Sequence, residues 1–142
     1  MKQFTILSIL AISLLFVSCK GKAQENQTTA TNTTNKIEVI DFYGTHRCVT
    51  CKAIEASAKY TVETYFSNEP KVVFKTVNVD DDANYKMAEN FEATGTALFL
   101  NVIKDGKETH IDLTDFGFSK GREQEEFSKE LKSKIENELK KL

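Results

Sequence analysis

The chain has 142 residues, and 19 basic side chains against 21 acidic ones give it a formal net charge of −2. This balance provides no positive field for phosphate groups, so nucleic acid is not expected as a partner. A content of 6 glycines and 10% aromatic residues excludes collagen-like and wholly disordered chains. The three cysteines are unevenly placed, because Cys19 stands alone whereas Cys48 and Cys51 lie three positions apart. We therefore expect the cysteines to serve two different purposes.

The beginning of the chain has the pattern of a secretory signal. A lysine precedes an apolar run over residues 4–17, which is shorter than the ~20 residues that a membrane-spanning helix needs. Residues 15–19, ending in Ser18 and Cys19, resemble the lipobox of bacterial lipoproteins, although Phe16 replaces the usual aliphatic residue. The resemblance implies removal of residues 1–18 and acylation of Cys19, which would anchor the protein in a lipid membrane. An ordinary signal peptide that contains a cysteine is the alternative.

The same resemblance predicts a location and a tether. Lys20 follows the cysteine, where an Asp would retain a lipoprotein in the inner membrane. We therefore expect a periplasm-facing protein of the cell envelope, anchored in the outer membrane. After the cysteine, residues 19–35 contain no large apolar side chain, so they cannot offset chain entropy and are predicted as a flexible tether. Residues 36–142 are long enough for one modest core and form the predicted folded domain.

Strands and helices alternate along this domain. Branched and aromatic residues predict a strand over residues 37–43, and helical spacing of apolar residues predicts a helix over residues 48–67. Further elements are expected as a strand over 71–79, a short helix over 81–90, a hairpin of strands over 97–103 and 108–113, a glycine-containing loop, and a helix over 122–140. The order β-α-β-α-β-β-α predicts an α/β fold with a mixed four-stranded sheet, because a helical crossover joins parallel strands.

A CxxC motif, formed by Cys48 and Cys51, lies between the first predicted strand and helix. Cys48 falls at the helix N-terminus, where free backbone N–H groups and the helix dipole stabilise a thiolate. His46 and Arg47 precede it and add positive charge. Cys48 is therefore expected to attack a partner disulfide, and Cys51 to resolve the mixed disulfide. A CxxC in this βα context is typical of a redox motif, and no cofactor besides the dithiol is expected.

Three segments resemble the thioredoxin superfamily. They are residues 41–44 with the CxxC and the lysine after it, residues 75–80, which resemble the next strand of the family, and residues 95–107 with their Asp-Gly turn. The resemblance implies a thioredoxin-like fold and a thiol–disulfide oxidoreductase. An upstream thiol reductant and a protein or small-molecule disulfide or oxidant would be its partners. It also implies that Asp41 is a buried carboxylate that accepts the Cys51 proton, and burial would raise its pKa toward neutrality.

The sequence departs from the superfamily pattern around the dithiol. His46 and Arg47 stand where the family has a Trp before the first cysteine, and Ala97 stands at the position of the cis-proline that faces the dithiol. Together with Thr96, these are the predicted substrate-binding residues. A cis bond before Ala97 would cost about 2.5–4 kcal/mol, so a trans bond is expected. Thr76 replaces the lysine that often partners the buried carboxylate, and the family's first strand and helix are absent.

Other interpretations of the motif stay open. Residues 46–51 also resemble small CxxC proteins known as subunits of a nitrophenyl-compound nitroreductase, in which the cysteines would carry electrons to a nitroaromatic or arsenical acceptor. His46, Cys48 and Cys51 alternatively offer three ligands for Cu(I) or zinc, which predicts a metal-binding or delivery module. A purely structural disulfide is the third alternative, but so small a loop gains little entropic stabilisation.

Overall fold

The computed structural model describes residues 35–142. Most of the residues predicted to precede the folded domain lie outside the described residues: the predicted signal peptide, the predicted lipidation site Cys19 and all of the predicted tether except Asn35. The described elements are β1 (Lys36–Tyr43), α1 (Val49–Tyr65), β2 (Val72–Asn78), a 3-10 turn (Asp82–Asn84), α2 (Tyr85–Asn90), β3 (Ala97–Lys104), β4 (Lys107–Asp112), α3 (Thr114–Lys120) and α4 (Gln124–Leu139). Among residues 35–142, no helix combines the length and the apolar character that crossing a membrane requires.

The four strands form one mixed sheet in the order β2-β1-β3-β4. β1 is parallel to β2 and antiparallel to β3, and β3 is antiparallel to β4, which confirms the predicted α/β fold with a mixed four-stranded sheet. The register places Asp41 of β1 between Thr76 of β2 and Leu98 of β3, and Phe42 opposite Ala97. The end of β1 and the start of β3 therefore meet at one end of the sheet.

Apolar side chains cover both faces of the sheet, because successive residues of a strand point to opposite sides. Ile37 and Val39 of β1 face the larger core, to which α1 and α4 contribute most of the helical side chains. Ile40 and Phe42 face the smaller core under α2. In that smaller core the Phe42, Phe91 and Phe99 rings lie 5.2 to 5.8 Å apart, a spacing typical of favourable aromatic pairs. Each large side chain that is fully buried contributes about 1.5–3 kcal/mol.

The predicted loop between the hairpin and the last helix is wrong, because Thr114–Lys120 forms the additional helix α3. Gly117 and Gly121, which suggested a loop, instead allow close packing against Ile54 of α1. A Cβ added at Gly121 would lie 2.5 Å from the Ile54 Cγ1 atom, and one at Gly117 would lie 3.4 Å from Ile54 Cγ2. The element order is therefore β-α-β-α-β-β-α-α, with the final two helices in place of the single predicted one.

Candidate active site

The two cysteines of the motif have unequal access to solvent. Cys48 is the N-cap residue of α1, and its Sγ atom accepts a hydrogen bond of 3.0 Å from the Cys51 N–H group. A disulfide joins the two sulfurs, and the Cα atoms are 5.1 Å apart. Cys48 is exposed whereas Cys51 is buried, with 8% of its surface accessible. An external thiol or disulfide would therefore reach Cys48 before Cys51.

The loop between β1 and Cys48 is fixed to the end of β2. The Thr45 N–H group donates a hydrogen bond of 2.6 Å to the Asp80 Oδ2 atom, and the Val79 N–H group donates to the Tyr43 carbonyl oxygen at 2.9 Å. The hydrogen bond from Thr45, with the neighbouring His46 as a further cause, lowers the pKa of Asp80. His46 itself is exposed. These contacts set the position from which Cys48 begins α1.

Asp41 lies fully buried in β1, on the face that α1 covers. Its Oδ2 atom is 3.2 Å from the Arg47 Nη2 atom, and its Oδ1 atom has no hydrogen-bond partner among the described residues. Burial raises the pKa of Asp41 to about 7, Arg47 opposes this rise, and the negative charge of Glu55 adds to it. A carboxyl group with a pKa in this range can accept or donate a proton at neutral pH.

The Arg47 side chain turns inward toward this carboxylate. Its guanidinium group donates hydrogen bonds to Asp41, to the Glu55 carboxylate and, at 3.3 Å, to the Cys51 carbonyl oxygen. The guanidinium carbon also lies 4.5 Å from the centre of the Tyr43 ring, within the range of a cation–π contact. Only 16% of the side chain is exposed. The structure thus places the Arg47 side chain against Asp41 and the Cys51 main chain, whereas the sequence predicted Arg47 as a substrate-binding residue.

Thr96 and Ala97, the other predicted substrate-binding residues, lie half-buried at the start of β3. All peptide bonds of the described residues are trans, so the expected trans bond at Ala97 is confirmed. Both residues line an open cavity of about 750 Å³, whose wall also contains Phe91 and His110. These two rings are stacked with centroids 3.7 Å apart. The substrate-binding role itself stays a prediction.

The predicted site residues are therefore only partly brought together. Arg47 joins Asp41 to Cys51, whereas the exposed His46 takes no part in this cluster. No group of three or more His, Cys, Asp or Glu side chains in the described part of the chain is arranged to hold a metal ion. In this state the two sulfurs that a metal would need are bonded to each other.

Glu55, which completes the charged cluster with Arg47, was not among the site residues predicted from the sequence. A signal for it was present, because Glu55 follows Cys51 by four positions and residues at that spacing share one face of a helix. His110 lies about sixty positions after the CxxC motif, so residue spacing could not predict its place in the cavity wall. Its position over Phe91 depends on the packing of α2 against the sheet, which residue spacing does not reveal.

Comparison with known proteins relates the chain to one family. The thioredoxin family model matches residues 18–133, which is most of the chain. "Putative thioredoxin H10" of Arabidopsis thaliana is 36% identical over 84 residues, covering 59% of this chain and 49% of that protein. "Protein disulfide isomerase-like 1-1" of the same organism is 29% identical over 116 residues, covering 75% of this chain and 23% of that protein. The chain thus spans about half of the first relative and about a quarter of the second.

A solved structure is also similar to this chain. Oxidised mitochondrial thioredoxin 3 from Saccharomyces cerevisiae is 28% identical, with a TM-score of 0.42, and the comparison covers 64% of this chain and 80% of that one. The family model covers both the sheet and the disulfide at the start of α1. The chain therefore belongs to the thioredoxin family.

Proposed function

We propose that the protein is a membrane-anchored thiol–disulfide oxidoreductase of the cell envelope, acting through Cys48 and Cys51. The observation that carries this proposal is the asymmetry of the two sulfurs. Cys48 is exposed at the N-terminus of α1, and Cys51 is buried one turn further along the helix. Such an arrangement provides one sulfur for attack on a substrate and a second, protected sulfur for release of the product.

The helix start supplies a reason for the reactivity of Cys48. When the disulfide is reduced, the Cys51 N–H group that now donates to the Cys48 sulfur could donate to a thiolate there. The dipole of α1 would add to this stabilisation, since negative charge is favoured at a helix N-terminus. Cys48 is thereby expected to be the thiolate of the pair near neutral pH.

The reduction of a substrate disulfide would proceed in two exchanges. The Cys48 thiolate attacks one substrate sulfur, which forms a mixed disulfide and releases the other substrate sulfur as a thiolate. Cys51 then loses its proton and attacks the Cys48 sulfur, which releases the second substrate thiolate and forms the Cys48–Cys51 disulfide. The dithiol is oxidised by two electrons and the substrate is reduced by two. An upstream thiol reductant would return the disulfide to the dithiol.

Asp41 is the group proposed to take the Cys51 proton. It is buried in β1, has a pKa of about 7, and shares Arg47 as a hydrogen-bond donor with the Cys51 carbonyl group. An ionised carboxylate with this pKa is a sufficiently strong base near neutral pH to assist loss of a thiol proton. Proton transfer to Asp41 would leave the buried carboxyl neutral, which is the form that burial favours.

The comparisons support this reaction class. The match to the thioredoxin family spans residues 18–133, and the names of the two relatives are those of a thioredoxin and a protein disulfide isomerase-like protein. Because the chain covers only 49% and 23% of these relatives, its own substrates and partners are proposed from its site and not transferred from theirs.

The test of the proposed function is turnover of a disulfide substrate by the reduced protein. With a peptide disulfide as substrate and dithiothreitol as reductant, wild-type protein is expected to accelerate reduction, and Cys48→Ser to abolish the acceleration. Cys51→Ser is the matched variant, because once it has been reduced and the dithiothreitol has been removed, it should trap the substrate on Cys48 as a mixed disulfide that mass spectrometry detects. Full turnover by Cys48→Ser would contradict the proposal.

The direction of electron flow is set by the reduction potential of the Cys48–Cys51 pair. Equilibration with a glutathione buffer measures this potential. A value of about −270 mV is typical of a reductant and one of about −120 mV of an oxidant.

A nitroaromatic acceptor is the second candidate substrate. The feature that favours it is the resemblance of residues 46–51 to the nitrophenyl-compound nitroreductase subunits. The reduced dithiol would supply two electrons and two protons, which convert the nitro group to a nitroso group and water, and the cysteines would become the Cys48–Cys51 disulfide. Loss of the nitrophenyl absorbance would report the reaction. An acceptor reduced by wild-type protein but not by Cys48→Ser would support this candidate, whereas a nitrophenyl compound left unchanged would leave disulfides as the substrate class.

A further inference from the structure

We propose that Arg47 is a positioning residue for the dithiol chemistry: it holds the Asp41 carboxylate against the Cys51 main chain and supplies the cation for this buried acid–base group. This inference rests on the proposed oxidoreductase function and deepens it. It assigns to Arg47 a role that acts through Asp41, in place of the substrate contact that the sequence predicts.

The geometry of the guanidinium group connects the parts of the site. Its Nη2 atom donates both to the Asp41 Oδ2 atom, at 3.2 Å, and to the Cys51 carbonyl oxygen, at 3.3 Å. The other terminal nitrogen donates to the Glu55 carboxylate. Three acceptors on β1 and α1 therefore fix one planar group, a task for which the rigid fork of arginine is suited and the single ammonium of lysine is not.

Charge balance at Asp41 depends on this contact. The charged groups that face Asp41 are Arg47, from the loop before α1, and Glu55, from α1 itself. The residues beside it in the sheet, Thr76 and Leu98, are neutral. Without Arg47, the Asp41 carboxylate would be buried next to a second carboxylate and no cation. Both desolvation and the like charge would then favour its protonated form.

A substrate-binding role fits the same contacts poorly. The guanidinium group already donates to three acceptors and lies over the Tyr43 ring. Only 16% of the side chain is exposed to solvent. To bind a substrate, Arg47 would have to leave these partners and uncover a buried carboxylate. Since an unpaired buried charge is costly, the inward position is the stable one.

The place of Arg47 in the chain gives the contact a further consequence. Arg47 directly precedes Cys48, so the residue that pairs with the proton acceptor is also the last residue before the nucleophile. The Arg47 contacts with Asp41 and with the Cys51 carbonyl oxygen therefore also fix the chain at the residue next to Cys48.

Single-turnover kinetics tests the inference. Pre-reduced protein is mixed with excess peptide disulfide, so that the rate at saturating substrate reports resolution by Cys51 and the half-saturating concentration reports substrate binding. For Arg47→Met, the saturating rate should fall at pH 7 while the half-saturating concentration stays within about twofold. The low-pH limb of the rate profile should move to higher pH, because Asp41 loses the cation that lowers its pKa. Each pH unit of movement reduces the rate on that limb about tenfold.

Three variants act as controls. Arg122→Met removes the only other arginine of the chain, which is exposed, and should leave the rate profile unchanged. In an Asp41→Asn background, Arg47→Met should reduce the saturating rate little further, because Arg47 acts through the Asp41 carboxylate that the first substitution has already removed. Arg47→Lys keeps the charge but not the fork, and should move the limb in the same direction by a smaller amount. This last variant also serves if Arg47→Met does not fold.

The outcomes separate the inference from the function on which it rests. If wild-type protein does not reduce the disulfide, the proposed function fails. If wild-type protein is active and Arg47→Met raises only the half-saturating concentration, Arg47 is a substrate contact and the inference is wrong. A pH profile of Arg47→Met that overlays that of the wild-type protein, or losses that are additive with Asp41→Asn, would also overturn it.

Discussion

At the scale of single residues, the buried carboxyl group of Asp41 lowers the stability of the fold at neutral pH. It is a carboxyl group with no exposed surface, it has one cation beside it, and one of its oxygens has no partner among the described residues. Its pKa is raised from 3.8 to about 7, so at neutral pH part of the free energy of folding is spent on holding a buried charge. Such a cost is expected where a group serves chemistry.

This cost predicts how stability depends on pH. A carboxyl group with a raised pKa binds its proton more tightly in the folded state than in the unfolded state. Its contribution therefore lowers the free energy of unfolding as the pH rises from about 4 to 7, and becomes constant above that range. Asp41→Asn removes this titration. The free energy of unfolding of the variant, relative to that of the wild-type protein, should increase by roughly 2–3 kcal/mol between pH 5 and pH 8.

Urea denaturation of the oxidised proteins at several pH values measures this difference. The comparison between the two proteins cancels the titration of the other groups, which both share. A difference that does not depend on pH would show that Asp41 has an ordinary pKa in the folded state. Asn keeps an acceptor oxygen for the Arg47 contact, so the variant tests the charge with little change of shape.

At the scale of elements, the packing of α1 against the last two helices determines where the disulfide lies. Gly121, which ends α3, meets Ile54 of α1 at a distance that leaves no room for a Cβ atom. Its carbonyl oxygen accepts a hydrogen bond of 3.1 Å from the buried Ser57 hydroxyl, and Thr61 continues this polar contact to Ser128 of α4 at 3.0 Å. The middle of α1, from Ile54 to Thr61, is thereby held against α3, Gly121 and α4.

Gly121→Ala should therefore destabilise the fold. The added Cβ atom would lie 2.5 Å from Ile54 Cγ1 and 2.6 Å from the Gly117 carbonyl oxygen, so α3 or α1 must shift. Overpacking of this kind costs typically about 1–3 kcal/mol, which a lower urea midpoint would reveal.

Gly95→Ala is the matched control for this substitution, because no atom lies within 4 Å of the Cβ position there. We expect the midpoint of that variant to change little. An unchanged midpoint for Gly121→Ala would mean that α1 and α3 can move apart freely.

At the scale of the whole molecule, the question is how the described domain would be attached to the membrane that we propose as its location. The described residues 35–142 contain the disulfide, the proposed proton acceptor Asp41 and both cores. The proposed anchor lies before them, at Cys19. Acyl chains contribute about 0.8 kcal/mol for each buried methylene group, so a multiply acylated cysteine provides stable membrane attachment.

The anchor predicts where the protein is found after cell fractionation. Wild-type protein expressed from the full chain in a bacterial host should sediment with the membranes and require detergent for release. Cys19→Ser should move it to the soluble fraction or leave the precursor unprocessed. Cys51→Ser is the matched control, since it removes a sulfur without touching the proposed anchor. Wild-type protein that is soluble without detergent would contradict the anchor and leave the dithiol chemistry untouched.

Local sequence patterns determined much of this protein. Runs of branched and aromatic residues predicted the strands, and the helical crossover predicted the mixed sheet, because both signals lie in neighbouring residues. The same local order placed Cys48 at the start of α1, because the motif directly follows a strand. The cysteine spacing and this placement were sufficient to predict the asymmetric pair of sulfurs.

Only the tertiary structure decided how the site is completed. The glycines Gly117 and Gly121 are poor helix formers, and for this reason the segment was predicted as a loop. It forms α3 because both glycines allow close contact with Ile54, which lies more than sixty positions earlier in the chain. The inward turn of Arg47 depends on where α1 places Glu55 relative to the buried Asp41 carboxylate. Packing of the fold buries the Asp41 carboxylate, and the Arg47 side chain turns inward to pair with it. The orientation of Arg47 therefore depends on the folded structure and not on local sequence.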